Sequence, residues 1–362
     1  MTSSENANDR SASTTSFLSF RSTAVMERPI STPLIRTPFG VTFMEPAIET
    51  IGLSKNYGSL TAVSKLNLKV ERNTIHGFLG PNGAGKTTTI KMLVGLLKPD
   101  GGTARVLGQE VRGDNPAARM NVGYMPELPR FPKHLKGFEL LDIYGRMYGM
   151  PEHERREQIP KLLDMVGLKG REKDLIGKYS KGMQQRIGIA QALLGHPELV
   201  ILDEPSIGLD PVGMVEVRGL MKEIAREGRT VFVSSHLLFE VEQICDYVTI
   251  IHHGNLLVSD SLQNVLGMLH GRTVLQIEVV NLTNAMIEGV RSLPFVSNVT
   301  KTENALTIEL STGDDMRAQI SQEIAKLGGI IISMSMKGHS LEDVFVQLVA
   351  KSGSESEGGV VK

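Results

Sequence analysis

Gly80-Pro-Asn-Gly-Ala-Gly-Lys-Thr87 decides the reading of this chain. It fits the pattern G-x-x-x-x-G-K-[ST], whose meaning depends on what flanks it. The apolar run Ile75–Leu79 precedes it as a strand. Lys86–Leu97 follows as a helix, with Ile90, Leu93, Val94 and Leu97 as its apolar positions. Gly83 and Gly85 let the backbone turn sharply and present N–H groups with no Cβ in the way. Those amides gather at the positive end of a helix and form an anion nest. Lys86 adds a mobile point charge for β- and γ-phosphates, and the Thr87 hydroxyl can ligate Mg²⁺. The bland alternative is an ordinary Gly-rich strand–helix turn; a chance match in the right strand–loop–helix context is rare.

Further along, Leu199-Val-Ile-Leu202 is a continuous apolar run, the mark of a strand buried on both faces. It ends in Asp203-Glu204. In open α/β sheets ligands sit beyond the carboxyl ends of strands, so Asp203 is expected to hold Mg²⁺ and Glu204 to orient or deprotonate a water. Acidic residues end many strands, and the pair gains its weight from the glycine loop. His236 follows another apolar run, Val231-Phe-Val-Ser-Ser235, and is read as a γ-phosphate contact rather than a structural histidine. His252 and His253 show no metal-ligand pattern and are read as surface residues.

The surroundings divide the 362 residues into segments. Residues 1–43, rich in Ser, Thr and Arg, read as a disordered tail or an over-called start before Met44. A transit peptide is the third possibility, against which Glu5, Asp9 and Glu27 count. From 44 to 268, strand-like runs alternate with helices, as in an α/β domain with a mostly parallel sheet. Residues from about 128 to 195 form a helical insertion. Within it, Ile159, Leu162, Leu163 and Val166 keep a helical spacing. From 272 to 350 a small βαβαβα-like α+β module is expected, ending in a helix over Ser340–Val349. The Gly/Ser/Glu-rich stretch 351–362 reads as a disordered tail.

Composition excludes several function classes. Charged residues make up 22% and the formal net charge is −1, so no basic field points to nucleic acid. Cys245 is the single cysteine, which rules out a disulfide framework within the chain. No window of about 18 apolar residues is present, so work at a membrane requires a partner.

Tyr179-Ser-Lys-Gly-Met-Gln-Gln-Arg186 resembles the signature of the ABC (ATP-binding cassette) ATPases, usually LSGGQ-QR. Ser206-Ile-Gly-Leu-Asp210-Pro resembles the family's D-loop, and Val122-Gly-Tyr-Met-Pro-Glu127 its Q-loop. Tyr57 stands upstream of the phosphate loop, where the family places an aromatic for adenine. The resemblance covers about 47–268 and has its motifs in the family's order. It implies a P-loop NTPase fold of the ABC cassette type: a mixed-sheet core, an inserted helical subdomain and, here, the added C-terminal module.

The resemblance also implies the site. Tyr57 would stack on adenine. Asn82, Gly83, Ala84, Gly85, Lys86, Thr87 and Thr88 would hold the phosphates of ATP. Thr87, Asp203 and Glu127 would hold Mg²⁺, and Glu204, His236 and Glu127 would serve catalysis. Ser180, Gly182 and Asp210 would meet the nucleotide of a second copy, two cassettes packing head to tail about a two-fold axis. Without the other motifs, Tyr179–Arg186 would be a plain helix start with a serine cap.

Departures are visible. Tyr179, Lys181 and Met183 replace the usual Leu, Gly and Gln, and Glu127 replaces the Q-loop Gln. A carboxylate at 127 could bind Mg²⁺ directly, or repel a γ-phosphate if poorly placed. The apolar residues of Leu128–Met150 are expected to be mainly core. In the family this region borders a groove for a helix of the membrane subunit. Leu341-Glu-Asp-Val-Phe345 and the single cassette resemble the export branch, which includes daunorubicin-resistance-like and sodium-export-like ATPases.

The implied function is therefore the ATP-hydrolysing subunit of an exporter. Its partners would be an integral membrane permease and a second copy, with no nucleic acid, at the cytoplasmic face of the membrane. Two rivals differ in class: a soluble ABC ATPase with no membrane partner, and a degraded cassette kept as a binding module. Intact Lys86, Asp203, Glu204 and His236 argue against the last.

Overall fold

The computed structural model describes residues 34–37, 40–43, 45–112, 115–268, 274–302, 305–312, 314–337 and 340–357. The chain divides into two units, 1–43 and 44–362. In the first, β1 (Leu34–Thr37) pairs antiparallel with β2 (Gly40–Phe43). This hairpin departs from the structureless tail expected over 1–43; the rest of that stretch lies outside the described residues.

The second unit is built on a six-stranded sheet. Its members are β5 (Ile75–Leu79), β8 (Val122–Met125), β9 (Leu199–Asp203), β10 (Thr230–Ser235), β11 (Tyr247–His252) and β12 (Asn255–Ser261). They lie in the order β12-β11-β5-β10-β9-β8. All run parallel except β12, which returns antiparallel beside β11. Every residue of β5, β9 and β10 is buried. Layers cover both faces, and strands in such a sheet need continuous apolar runs rather than alternation.

One covering layer is a second, antiparallel sheet. It comprises β3 (Ile48–Tyr57), β4 (Leu60–Val70), β6 (Gly101–Val106) and β7 (Gln109–Glu110), ordered β4-β3-β6-β7. Helix α1 (Lys86–Leu93) sits between the two sheets. Its Ile90 and Leu93 share one buried cluster with Ile48 and Leu68 of the outer sheet and Phe78 and Phe232 of the inner one. Each such side chain contributes about 1.5–3 kcal/mol by leaving water, so α1 is held from both sides.

On the other face lie the inserted helices α2 (Gly137–Met147), α3 (Glu152–Met165) and α4 (Lys181–Ala192). With them are α5 (Pro211–Arg226), α6 (Leu238–Glu242) and α7 (Leu262–Gly267). The stripe Ile159, Leu162, Leu163 and Val166 is buried there, as its spacing predicts.

The C-terminal module is βαββαβ: β13 (Val274–Val280), α8 (Asn284–Arg291), β14 (Val296–Thr302), β15 (Ala305–Leu310), α9 (Arg317–Lys326) and β16 (Ile330–Lys337). Its sheet is antiparallel throughout, ordered β14-β15-β13-β16. The expected βαβαβα pattern lacks β14. Only Val299 of that edge strand is buried, and its other residues are chiefly Ser, Asn, Thr and Lys, so no alternation announces it. The last helix, α10 (Leu341–Glu357), departs further from expectation. Leu341 and Val344 are fully buried in the cassette's own core with Val241 and Val265, not in the module's. The helix also continues through part of the stretch expected to be a disordered tail; residues 358–362 lie outside the described residues.

Candidate functional site

The glycine loop takes the shape its composition foretells. Gly83 (φ 82°) and Gly85 (φ 106°) occupy left-handed backbone. A Cβ on Gly85 would lie 2.4 Å from the carbonyl oxygen of Ala62. The loop is therefore clamped against β4, and only glycine fits. Lys86 opens α1 and is buried; its Nζ donates to the Gly80 carbonyl at 2.7 Å. The same Nζ lies 3.0 Å from Glu204 Oε1.

Glu204 stands just past the end of β9 with φ 50°, a strained setting for a residue with a Cβ. Three neighbours hold it. Ser234 Oγ accepts from its backbone N–H at 2.9 Å, Lys86 pairs with Oε1, and His236 Nδ1 lies 2.8 Å from Oε2. His236 Nδ1 must carry a proton to donate to that carboxylate, an assignment that follows from the partner.

Asp203 ends β9 and is completely buried. Ser234 Oγ donates to Asp203 Oδ1 at 2.6 Å, while Oδ2 has no hydrogen-bond partner. Burial pushes the Asp203 carboxyl above the ordinary aspartate value. Hydrogen bonds from Ser234 and Thr87 pull it down, and Glu127 and Glu204 push it up again. A hydroxyl (Thr87) and two carboxylates (Asp203, Glu127) thus converge around one unpartnered buried oxygen. An all-oxygen donor set with an orphaned carboxylate oxygen fits Mg²⁺. Among the described residues no group of three or more His, Cys, Asp or Glu could hold a metal ion. An ion here therefore needs the Thr87 hydroxyl and phosphate oxygens to complete its shell.

These groups open into a cleft of about 480 Å³ whose walls include Tyr57, Asn82, Gly83, Thr88, Glu127 and Glu204. Tyr57, at the end of β3, is 49% exposed and presents its ring to the cleft wall. Lys55 Nζ lies 5.9 Å from its ring centroid and fixes one face. Ala84, expected on the phosphates, is itself buried behind the loop. His236 reaches the site through Glu204 rather than by lining the cleft.

The remaining expected residues lie elsewhere. Ser180, Gly182 and Asp210 line a separate cleft of about 430 Å³ with Lys181, Gly208 and Arg186. Ser180 caps α4, its Oγ accepting from the Met183 N–H at 3.2 Å. Asp210 caps α5 in the same way, accepting from Gly213 N–H at 3.1 Å. The Lys181 side chain lies against Gly208, where a Cβ would sit 1.9 Å from Nζ. The signature and D-loop segments therefore touch each other, and Ile207 is the one residue of the two segments that lines the first cleft.

Two participants escaped the sequence reading. Ser234 joins Asp203 to the Glu204 backbone, and its signal was a hydroxyl following the apolar run Val231–Val233. His253 is exposed, as expected, yet it also lines the first cleft beside Tyr57, while His252 is half-buried. Their signal is positional only: the β11–β12 turn is laid on the glycine loop, Gly254 N–H donating to the Ala84 carbonyl at 3.0 Å.

Comparison with known proteins accords with this geometry. The family model described as ABC transporter matches residues 63–207. The bacitracin transport ATP-binding protein BcrA of Bacillus licheniformis is 36% identical over 84% of this chain and 98% of its own. The linearmycin resistance ATP-binding protein LnrL of Bacillus subtilis is 32% identical over 84% of this chain and 99% of its own. Among solved structures, an ATP-binding subunit of an ABC transporter superposes with a TM-score of 0.57 at 31% identity, covering 61% of this chain and 92% of that one. BcrA is named for transport and the solved structure is an ABC transporter subunit, and they do not support the soluble alternative without a membrane partner. Sheet, phosphate loop and acidic strand end together place the chain in its family: it belongs to the ATP-binding subunits of ABC transporters, which hydrolyse ATP to power transport.

Proposed function

We propose that this subunit drives export through a separate integral membrane permease, working as a two-fold dimer with two Mg-ATP molecules between its copies. The observation that carries the reading is the separation of the two clefts. One is lined by Lys86, Thr87 and Glu204; the other offers the start of α4 with Ser180 and Gly182, beside Asp210. Each is half of a triphosphate site, and a head-to-tail pair makes both whole.

Tyr57 receives the adenine, and residues 82–88 the phosphates. Thr87, Asp203 and Glu127 would hold Mg²⁺, whose chemistry is to neutralise charge on the β- and γ-phosphate oxygens. Lys86 leaves its ion pair with Glu204 for those oxygens, which frees Glu204 as a base. Glu204 then takes a proton from water, the water oxygen bonds to the γ-phosphorus, and the bond to the β-phosphate oxygen breaks. His236 holds the carboxylate in place through Nδ1–H.

Leu128, Met147 and Tyr148 on the inserted subdomain are exposed apolar side chains, while Leu140 and Met150 of the same stretch are core. The exposed set suits an amphipathic helix of the permease. Among the described residues no helix is long and apolar enough to cross a membrane. Membrane attachment, at the cytoplasmic face, then runs through that contact. The relatives named for bacitracin transport and linearmycin resistance support a cargo of similar kind, carried by the permease.

The test is Glu204→Gln. It is expected to retain ATP affinity, to lower ATPase activity by about 10²–10³-fold, and to elute as a dimer only with Mg-ATP. A variant that stays monomeric with saturating ATP refutes the sandwich.

A further inference from the structure

We propose that His253 is a nucleotide-contacting residue and that Phe345, on the helix that follows the C-terminal module, sets its position through His252. The affinity of the cleft for ATP then reports how α10 is seated on the cassette. This rests on the assignment of the first cleft to ATP.

The turn between β11 and β12 is two residues long. His252 pairs with Asn255, leaving His253 (φ 46°) and Gly254 (φ 78°) at its tip. Two positive φ values are the backbone of a type I′ hairpin, where Asn or Asp followed by Gly is the usual choice. Histidine tolerates left-handed backbone better than most residues with a Cβ, so the turn can present an imidazole where Asn or Asp is the usual choice.

The turn has no freedom to drift. Gly254 N–H donates to the Ala84 carbonyl at 3.0 Å, and its carbonyl accepts from Ser64 N–H at 2.8 Å. A Cβ on Gly254 would approach the Ala62 carbonyl oxygen to 2.9 Å. The backbone that carries His253 is thus bonded to the phosphate loop and pressed on β4. Its side chain lines the cleft with Tyr57 and Leu60. An imidazole there can donate to sugar or phosphate oxygens of a bound nucleoside triphosphate.

The ring of His253 is set from behind. The His252 and His253 centroids are 4.0 Å apart at 58°. On its other side His252 meets Phe345 edge-on, with centroids 6.0 Å apart at 81°. Burial, and then the neighbouring His253, hold His252 below the ordinary histidine value. It serves as a neutral spacer between two rings. Phe345 belongs to α10, which Leu341 and Val344 anchor in the cassette core. The Leu341 N–H adds a hydrogen bond to Glu242 Oε2 at 3.0 Å. One row of three rings therefore runs from α10 to the wall of the ATP cleft, and a displacement of that helix moves the last ring of the row.

The experiment measures ATP Kd by calorimetry, and KM and kcat for hydrolysis, on the full chain carrying His253→Ala, Phe345→Ala, Phe345→Tyr or both alanines. His253→Ala is expected to raise Kd and KM about fivefold, the size of one lost hydrogen bond, with kcat nearly unchanged. Phe345→Ala is expected to raise both less, Phe345→Tyr to restore them, and the double variant to match His253→Ala alone. An unchanged Kd in His253→Ala overturns the contact. A Phe345→Ala effect of full size in the His253→Ala background, or a loss in kcat that Phe345→Tyr does not restore, overturns the coupling. Lys86→Ala is the separate control: tight ATP binding in that variant sinks the cleft assignment itself rather than this inference.

Discussion

The two clefts are made of different matter. The first is an interior turned outward: Lys86, Asp203 and Glu204 are all buried, and their charges are held by Ser234, His236 and one another. The second is surface, two helix starts whose Ser180 and Asp210 are occupied in capping their own helices. Buried charges that must stay paired are costly to disturb. Exposed caps contribute about 1 kcal/mol each. The first cleft is therefore prebuilt within one chain, whereas the second, on the proposed dimer, serves the nucleotide of the other copy.

The largest test of that contrast is Lys86→Ala. It leaves Glu204 buried without its cation and removes the point charge for the phosphates. ATP affinity is expected to fall by at least about a hundredfold, read by titration calorimetry. Retained affinity would mean that the loop amides suffice and that the first cleft is less electrostatic than its geometry implies.

Acid probes the floor beneath the first cleft. His76 lies on β5, fully buried between Phe232 and Tyr247, with Nε2 on Thr249 Oγ1 at 2.8 Å and Nδ1 unpartnered. Burial lowers its pKa to about 3 from the model-peptide 6.5. The unfolded chain binds a proton that the folded chain refuses. Stability from this group is therefore complete above pH 6.5 and falls as the pH drops toward 3, by about 1.4 kcal/mol per pH unit. Urea unfolding at pH 7 and pH 5.5 should show the decline, and His76→Phe should flatten it. An equal decline in His76→Phe would move the acid sensitivity elsewhere.

The smallest expected change is at the second cleft. Ser180→Ala should cost about 1 kcal/mol of stability through the lost cap and leave ATP Kd of the isolated chain unchanged. ATPase activity should still fall, because the partner's nucleotide loses a ligand. A weakened Kd in the monomer would show that the two clefts are not independent.

Legibility in the sequence followed the range of the signal. The glycine loop is local: spacing, helix start and strand lie within a short stretch, so residues 80–88 could be placed without a structure. Asp203, Glu204 and His236 were readable because each stands at or just past the end of a strand buried on both faces. Ser234 and His253 were not, since their meaning comes from sheet register. Parallel pairing sets Ser234 opposite Asp203, and the β11–β12 turn reaches back to Ala84. β14 hid because an edge strand with one buried residue has no alternation to read. The helical character of α10 was plain, but not its destination. The face bearing Leu341 and Val344 matches a groove lined by Val241 and Val265, which only the folded cassette creates.

That destination changes what kind of object the C-terminal module is. The polypeptide leaves the cassette after α7 and comes home to it at Leu341, so the sheet of β13–β16 is threaded between two fixed posts. A pendant added to the end of a chain can be trimmed without disturbing its host. A span riveted at both shores cannot, and shortening this protein after residue 268 would tear two side chains out of the motor's own interior.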